Sequence, residues 1–312
     1  MQVFRDLASI KKDKNTVLTI GTFDGIHLGH QNIIEEVKKN ATAYGARNFV
    51  VTFNPHPRKI LSETSNIKIL STLREKMTTL ENLGVENLYV IEFTKEFSQL
   101  TAERFFSNYI INGIGIKEII IGYDYHFGKG KGGSVETLMK MGKENDFSVS
   151  QIEEVKVKGN TVSSTKIRKA LIEGDIKLAS TYLGGHYSFS GVVVSGDRRG
   201  RTLGFPTANI QLDDPEKLLP ALGIYVVEIL IGGSNFFGLL SVGKRPTFYN
   251  EGAIVPEVYI YDFDEDIYGE YITINIIERL RGEEKFSSAE ELIKQMNKDK
   301  ESGLEILSKK IN

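Results

Sequence analysis

The chain contains no cysteine among its 312 residues. Disulfides, thiolate metal sites and cysteine nucleophiles are therefore excluded together. An excess of one charge is also missing, because 39 Lys and Arg nearly balance 41 Asp and Glu. A balanced chain has no overall field to hold it on nucleic acid or on an anionic membrane. We therefore expect small-molecule partners and no nucleic acid.

Long apolar runs are absent as well. The N-terminal MQVFRDLASIKKDKN lacks the apolar run of a signal peptide, and no stretch approaches the roughly 20 apolar residues of a membrane span. These features predict a cytoplasmic protein with no membrane partner. The composition, 40% hydrophobic and 26% charged, is that of an ordinary globular protein, and the length exceeds the usual size of one core. Two domains are expected.

The first half alternates strand-like and helix-like segments. Apolar runs at 17–22, 48–53, 88–93 and 118–122 are separated by amphipathic stretches. The stretch 31–44, for example, has Ile33, Val37 and Ala41 at helical spacing. This alternation is typical of parallel strands joined by crossover helices. It predicts a Rossmann-like α/β domain over residues 1–184.

The second half changes character after Gly184 and Gly185. Five β-rich runs, at 187–195, 223–231, 235–242, 257–263 and 271–280, follow one another without intervening helices. Such a series predicts a small antiparallel β-barrel over residues 185–312. Ser288 and Glu291 then stand at capping-box spacing and predict a C-terminal helix that packs on the barrel.

The first chemical motif is GTFDGIHLGH at residues 21–30, between a predicted strand and a predicted helix. Free backbone N–H groups and the helix dipole favour phosphate at such a position. His27 and His30 are three residues apart, so both imidazoles can face one ligand if the helix begins within the turn. The segment is neither G-x-G-x-x-G nor a P-loop. Taken alone, it is also compatible with a simple helix cap.

A second motif, VSSTKIR at residues 162–168, places hydroxyl groups at a predicted helix start. Alone it is compatible with an N-cap followed by a solvated basic face. In order along the chain, however, H-x-G-H and S-S-T-x-I-R resemble the two signatures of the nucleotidylyltransferase superfamily. The resemblance implies that His27 and His30 are catalytic in adenylyl transfer. It also implies an ATP-phosphate site formed by Gly21, Phe23, Gly29, Ser163, Ser164, Thr165 and Arg168.

Two further stretches resemble the flavin branch of that superfamily, the bacterial FAD synthetases. They are TFNPHP at residues 52–57 and GYDYHFG at residues 122–128, followed by a glycine-rich loop with Lys129 and Lys131. The resemblance implies a flavin-binding group in the adenylyltransferase half that comprises Asn54, Pro55, His56, Asp124, Tyr125 and Phe127. The alternative is that these rings are loop anchors and core.

In the second half, GVVVSGDRRGRTLGFPTANI at residues 191–210 resembles the riboflavin-kinase module over its whole length. Glycines permit a backbone loop around phosphates, and the Thr and Asn oxygens suit magnesium. The resemblance implies an ATP site of Gly196, Gly200, Arg201, Gly204, Pro206, Thr207 and Asn209, with Thr207 and Asn209 as metal ligands. It also implies that Glu257 accepts the proton of the riboflavin 5′-hydroxyl, although a solvated strand-end carboxylate is the plain alternative.

Both modules occur in the order of the bifunctional riboflavin kinase/FMN adenylyltransferase family. The resemblance implies FAD biosynthesis from riboflavin through FMN, with Mg²⁺ arriving with ATP and flavins as substrate and product. Other hypotheses stay open. They are a monofunctional FMN adenylyltransferase with an inactive β half, and a non-catalytic flavin-binding protein. Cytidylyltransferases and pantetheine-phosphate adenylyltransferases share H-x-G-H but would not carry GFPTAN. The oligomeric state is not predicted.

Overall fold

The computed structural model describes residues 1–62, 67–123, 125, 128, 133–196, 200, 203–244 and 254–311. Its contacts group into two compact units, Met1–Ser164 and Thr165–Asn312. The predicted domain boundary at residue 184 stays a prediction, because contact grouping and domain independence are different properties.

Within its described residues, the first unit contains one parallel sheet of six strands and a separate two-stranded hairpin. The order in the large sheet is β1-β4-β3-β2-β5-β6, and β7 pairs with β8. The strands are β1 (Gln2–Phe4), β2 (Thr16–Ile20), β3 (Arg47–Asn54), β4 (Asn87–Glu92), β5 (Glu118–Gly122), β6 (Ser148–Ile152), β7 (Lys156–Val157) and β8 (Asn160–Thr161).

Helices cover the large sheet and confirm the predicted α/β class. They are α1 (Leu28–Tyr44), α2 (Pro57–Leu61), α3 (Leu73–Asn82), α4 (Ala102–Phe105), a π-helical segment (Phe106–Ile114) and α5 (Val135–Asn145). Helix α1 begins three residues earlier than the pattern predicts. Its buried face is Ile34, Val37 and Ala41, whereas Ile33 is only partly buried.

Side chains of the parallel strands alternate between two layers, as strand geometry requires. Leu18 and Ile20 of β2 pack into one apolar cluster with the π-helical segment and α5. Val17, from the opposite face of the same strand, packs against α1. Every residue of β2 is buried, which is typical of a parallel strand covered on both faces.

The strand order reverses at β2, which pairs with β3 on one side and with β5 on the other. The chain runs from β2 outward through β3 and β4, and then crosses back to β5 on the other side of β2. In open α/β sheets, ligands bind in the crevice outside the carboxyl ends of the strands at such a point. The predicted motifs at 21–30, 52–57 and 122–128 all follow the carboxyl ends of these neighbouring strands.

In the second unit, six described strands close into an antiparallel barrel in the order β10-β13-β12-β11-β14-β9, which confirms the predicted architecture. The strands are β9 (Tyr187–Val194), β10 (Thr207–Leu212), β11 (Gly223–Ile231), β12 (Ser234–Lys244), β13 (Ile254–Ile260) and β14 (Tyr271–Arg281). The helices that follow the first unit are α6 (Ser164–Glu173), α7 (Ile176–Leu183) and α8 (Ala289–Ile311).

The C-terminal helix is tied to the barrel by an ion pair. The Arg281 guanidinium of β14 donates from Nε and Nη2 to the Asp299 carboxylate of α8, at 3.0 and 2.8 Å. At the start of α8, the Glu291 N–H donates to Ser288 Oγ at 3.3 Å, as the capping spacing predicts. In return, the Glu291 carboxylate accepts a hydrogen bond from the Ser287 N–H at 3.1 Å.

Helices α6 and α7 pack against the barrel although they precede it in the chain. The Leu171 carbonyl accepts a hydrogen bond from the Ala221 N–H at 2.9 Å. In α7, Ile176, Ala179 and Tyr182 are buried, and this helix contacts β9 and β14. Removal of both helices would expose apolar surface of the barrel.

We expect residues 165–312 to be more stable as an isolated fragment than residues 185–312. The shorter fragment loses the packing of α7, at roughly 1–3 kcal/mol for each large apolar side chain. Its thermal midpoint should fall by roughly 4 °C or more relative to the longer fragment, measured by circular dichroism at matched concentration. Equal midpoints would show that α6 and α7 are not part of the same cooperative unit and would favour the boundary at residue 184.

Candidate active sites

The turn after β2 has an unusual backbone. Phe23 and Ile26 have φ angles of +47° and +37°, and Gly25 has +84°. Positive φ costs a residue with a side chain about 1–3 kcal/mol, and such strain persists only where the surroundings hold it. The turn is therefore held in shape by the groups around it, as is common in ligand sites.

His27 and His30 come together at the start of α1. His27 is the N-cap, and its Nδ1 accepts a hydrogen bond from the His30 N–H at 3.4 Å. The two imidazole rings are stacked, with centroids 3.8 Å apart and planes within 14°. Because Nδ1 of His27 is the acceptor, the neutral ring carries its proton on Nε2 and can donate from there to a ligand.

His27 is buried as a residue, whereas His30 is only partly buried although its Nδ1 is enclosed. Phe23 packs edge-on against the His30 ring at 5.1 Å between centroids. Burial lowers its pKa well below the ordinary histidine value, and the nearby His27 and Lys76 lower it further. Among the described residues its buried Nδ1 has no hydrogen-bond partner. A neutral buried imidazole with an unused nitrogen is suited to a polar ligand.

Two glycines leave room for these rings. A Cβ at Gly29 would lie 3.1 Å from Cε1 and 3.2 Å from Nδ1 of His27. A Cβ at Gly21 would lie 3.1 Å from Cε2 of Phe23. Both separations are shorter than ordinary van der Waals contact. The rings beside Gly21 and Gly29 therefore explain why these two positions have no side chain.

Asp24, which no sequence pattern marks as a site residue, connects the two motifs of the first half. Its buried carboxylate accepts hydrogen bonds from the N–H groups of Leu70 and Ser71, at 2.9 and 3.1 Å. Its backbone carbonyl accepts from Ser164 Oγ at 2.9 Å. The serine of the second motif thus touches the turn of the first, although 140 residues separate them. Only a long-range contact of this kind reveals the role of Asp24.

The remaining predicted phosphate residues follow directly along the chain. Ser163 precedes α6, while Thr165 and Arg168 lie within that helix. Thr165 and Arg168 belong to the second compact unit. Their roles stay predictions.

The predicted flavin group is only partly described. Asn54 ends β3, and His56 caps α2 through Nδ1, which accepts from the Arg58 N–H at 3.1 Å. Tyr125 packs against the main core of the first unit, and its burial raises its pKa. Beside Pro55 is a cavity of about 420 Å³ lined by Pro55, Lys59, Ile60, Glu92, Phe93, Thr94 and Lys95. Asp124, Phe127, Lys129 and Lys131 lie outside the described residues.

In the barrel, the register of two strands assembles the predicted kinase residues. Asn209 of β10 is directly opposite Glu257 of β13, and Thr207 is opposite Tyr259. Direct cross-strand partners, and residues two apart on a strand, share one face of a sheet. Thr207 Oγ1 donates to Glu257 Oε2 at 3.2 Å. The neighbouring Val258 and Ile260 are buried, so the four side chains lie on the face opposite to them.

Glycines of the 191–210 motif lie close to these side chains. A Cβ at Gly196 would collide with the amide of Asn209, and one at Gly200 would lie 3.2 Å from Thr207 Oγ1 and collide with the Phe205 carbonyl. Gly204 has a φ of +82°. Pro206 directly precedes β10. Arg201 lies outside the described residues.

Tyr259, two residues after Glu257 on β13, makes two contacts that the sequence does not predict. The Tyr259 ring packs edge-on against Phe205, with centroids 5.2 Å apart. The Tyr259 hydroxyl is 3.5 Å from Nζ of Lys300, a residue of α8. The C-terminal helix thus contributes a cation beside Tyr259, two residues along β13 from the predicted base, which no local pattern in the sequence indicates.

Comparisons with known proteins match both halves of the chain. A family model described as FAD synthetase matches residues 9–166, and one described as riboflavin kinase matches residues 183–307. The bifunctional riboflavin kinase/FMN adenylyltransferase of Listeria monocytogenes is 39% identical, over 93% of this chain and 91% of its own length. The chain belongs to this family. The Escherichia coli K12 member is 32% identical, over 96% of both chains.

A solved structure from Streptococcus pneumoniae, titled a macrolide-efflux protein, has the same fold. It is 35% identical, with a TM-score of 0.86 over 96% of this chain and 97% of its own. The efflux activity in that title is a statement about the pneumococcal protein. No helix in the described part of this chain is long and apolar enough to cross a membrane.

Proposed function

We propose that this chain makes FAD from riboflavin in two ATP-dependent steps. The C-terminal half phosphorylates riboflavin to FMN, and the N-terminal half adenylylates FMN with release of pyrophosphate. The observation that carries the proposal is the β10–β13 register, which gathers Thr207, Asn209 and Glu257 on one face of the barrel. A binding remnant would have no need for a carboxylate beside two oxygen donors. The monofunctional and non-catalytic alternatives are therefore less favoured.

In the proposed kinase step, the riboflavin 5′-oxygen forms a bond to the γ-phosphorus of ATP and ADP leaves. Glu257 takes the proton of the attacking hydroxyl, since its carboxylate is the acid–base group beside Thr207. The hydrogen bond from Thr207 orients that carboxylate. Little else is required of the protein, because phosphoryl transfer depends mainly on positioning and charge neutralisation.

The proposed metal of this half is Mg²⁺ that arrives with ATP. The donors present fit it, because Mg²⁺ prefers oxygen ligands and Thr207 and Asn209 offer a hydroxyl and an amide oxygen on one face of β10. Bound there, the ion would neutralise phosphate charge. Gly196 and Gly200 leave the backbone close to these two side chains, so that phosphates can reach both.

In the proposed adenylyltransferase step, a phosphate oxygen of FMN bonds to the α-phosphorus of ATP and pyrophosphate leaves. His27 donates from Nε2 to a phosphoryl oxygen, because its Nδ1 is already an acceptor. His30 contacts the same group from its place in the stacked pair. Donors held in place before the reaction stabilise the charge that develops in the transition state.

One experiment tests both steps. Purified protein is incubated with riboflavin, ATP and MgCl₂, and the flavins are separated by chromatography over time. FMN should appear first and FAD afterwards, and omission of MgCl₂ should stop both. Accumulation of FMN without FAD would overturn the N-terminal assignment, and conversion of supplied FMN but not of riboflavin would favour the monofunctional alternative.

We propose a cytoplasmic location for these reactions. The proposal rests on the absence of cysteine, which suits a reducing compartment, and on the need for ATP. Fractionation of cells with an antibody to the chain would test it, and recovery with the membrane or secreted fraction would contradict it.

Gly29→Ala is expected to lower FMN adenylylation with little net change in the stability of the helix. The added Cβ displaces the His27 ring, which is stacked on His30. Misplacement of a catalytic group costs roughly 10- to 100-fold in rate. Alanine near a helix start otherwise gains about 0.5–1 kcal/mol over glycine. Disturbance of the His27 cap offsets this gain, so the adenylylation rate should fall while the thermal midpoint changes little. An unchanged adenylylation rate would contradict the explanation given for Gly29.

A further inference from the structure

Lys76 of α3 is a buried lysine in the first unit that none of the predicted motifs includes. Its side chain is 6% exposed. Nζ donates to the Thr22 carbonyl at 2.6 Å and lies 3.4 Å from Thr52 Oγ1, which it can also reach as a donor. Thr22 begins the histidine turn, and Thr52 lies in β3. The ammonium therefore joins that turn to the neighbouring strand.

Burying an ammonium group is unfavourable, and lysines are rarely buried without a partner. Lys76 has an acidic neighbour in Asp24, whose negative charge favours the protonated form. Burial is the larger influence and lowers the pKa of Lys76 to about 8. The positive charge of Lys76 also acts on His30 and lowers the pKa of that imidazole. The Lys76 ammonium, which is unfavourable to bury, therefore lies beside the histidine pair.

The segment that Lys76 contacts is the strained one. Phe23, which directly follows Thr22, and Ile26, three residues later, both have positive φ angles. Other bonds hold the later part of the turn, through Asp24 and from the Gly25 N–H to Ser71 Oγ at 3.0 Å. Helix α3 begins just beyond Ser71, at a capping box between Thr72 and Glu75. Lys76 and the residues just before α3 therefore hold the same turn in place through hydrogen bonds.

We propose that Lys76 is a positioning residue for adenylyl transfer. It holds the Thr22 end of the turn so that His27 and His30 are presented to the phosphates, and its positive charge acts on the His30 imidazole. The proposal rests on the proposed function of the N-terminal half. Lys76 itself is assigned no contact with substrate.

Lys76→Met is the first test, because methionine keeps the length of the side chain but removes its charge and its hydrogen bonds. The Thr22 carbonyl retains a bond from Thr52 Oγ1, at 3.3 Å, so the variant is expected to fold. We expect kcat for FMN adenylylation to fall roughly 10- to 100-fold, with KM for ATP and FMN changed less than about threefold. Riboflavin phosphorylation by the same preparation should be unchanged.

Lys39→Met is the matched control. Lys39 lies on α1 of the same unit, is 67% exposed, and pairs only across the surface with Glu36 at 3.1 Å. Its replacement should leave adenylylation within about twofold of wild type, since exposed ion pairs contribute little. Equal kcat values for Lys76→Met and wild type, or a loss confined to KM, would overturn the positioning role.

A second test needs no folded Lys76→Met variant. The titratable groups that act on Lys76 and His30 in the described part of the chain are Asp24 and His27. In wild type, kcat for adenylylation should fall as pH rises through about 8, where Lys76 loses its proton. Lys76→Arg, which stays charged, should shift this fall to higher pH. A profile that is identical in wild type and Lys76→Arg would overturn the proposal.

A readout independent of turnover separates this inference from the proposed function. The imidazole pKa of His30, followed by NMR in the full chain, should rise in Lys76→Met and stay unchanged in Lys39→Met. If wild type makes no FAD from FMN, the proposed function fails, and the histidine titration still decides whether Lys76 acts on His30. An unmoved His30 pKa would overturn that action.

Discussion

Replacement of His27 and His30 together by alanine is expected to abolish FMN adenylylation, by roughly 100-fold or more. The same protein should phosphorylate riboflavin at a normal rate. The stacked rings are the polar groups at the start of α1 that can meet developing phosphoryl charge. Each reaction is measured separately, with FMN or riboflavin as the only flavin supplied.

A loss of folding must be distinguished from a loss of chemistry in this variant. His27 caps α1, and removal of a cap costs about 0.5–2 kcal/mol. His27→Asn with His30→Ala serves as the control variant, because asparagine caps a helix well but provides no imidazole. It should be as inactive in adenylylation as the double alanine variant and more stable. Equal loss of both activities in a folded protein would defeat the assignment of the reactions to two sites.

Glu257→Gln should lower the conversion of riboflavin to FMN by roughly 10²- to 10⁴-fold. Glutamine keeps the volume and can accept the hydrogen bond from Thr207 Oγ1, but it cannot take the proton of the 5′-hydroxyl. Riboflavin binding, measured by fluorescence titration, should change little. FMN supplied directly should still become FAD, since that reaction uses the other half of the chain.

The barrel offers a matched control for this substitution. Glu228 of β11 accepts a hydrogen bond from Asn275 of β14 at 2.9 Å, so it is also a strand carboxylate opposite an asparagine. Glu228→Gln should leave the kinase rate within about twofold of wild type. A Glu257→Gln rate in that same range would remove Glu257 from the mechanism and leave the hydroxyl proton to another acceptor.

The sequence predicted most elements of the fold because their patterns are local. Strands β5 and β11 have the predicted bounds, and the other seven predicted strands differ by one to three residues at their ends, whereas β1, β6, β7 and β8 were not predicted. Strand β10 was not predicted, although its TANIQL sequence alternates polar and apolar residues as a half-buried strand does. It is a strand because it pairs with β9 and β13. Pairing between distant segments cannot be predicted from local residue propensities.

The site residues also fall into those that a local motif predicts and those that only long-range contacts reveal. Glycine-rich and histidine motifs stand in short contiguous runs, so His27, His30, Thr207 and Asn209 were all predicted as site residues. Asp24 and Lys76 were not, although Asp24 lies within the first motif. Their contacts join residues 46 and 54 positions apart in the chain. Only the folded arrangement shows which backbone groups these charges hold.

The position of Glu257 depends on pairing along both edges of β13. Asn209 is its partner on one side and Ser241 on the other. A single residue inserted into or deleted from this strand would exchange its two faces, turning Glu257 and Tyr259 inward and Val258 outward. Among descendants of this sequence, the length of β13 is therefore expected to vary less than its side chains. A survey of insertions along the gene would find the kinase half most intolerant at this strand.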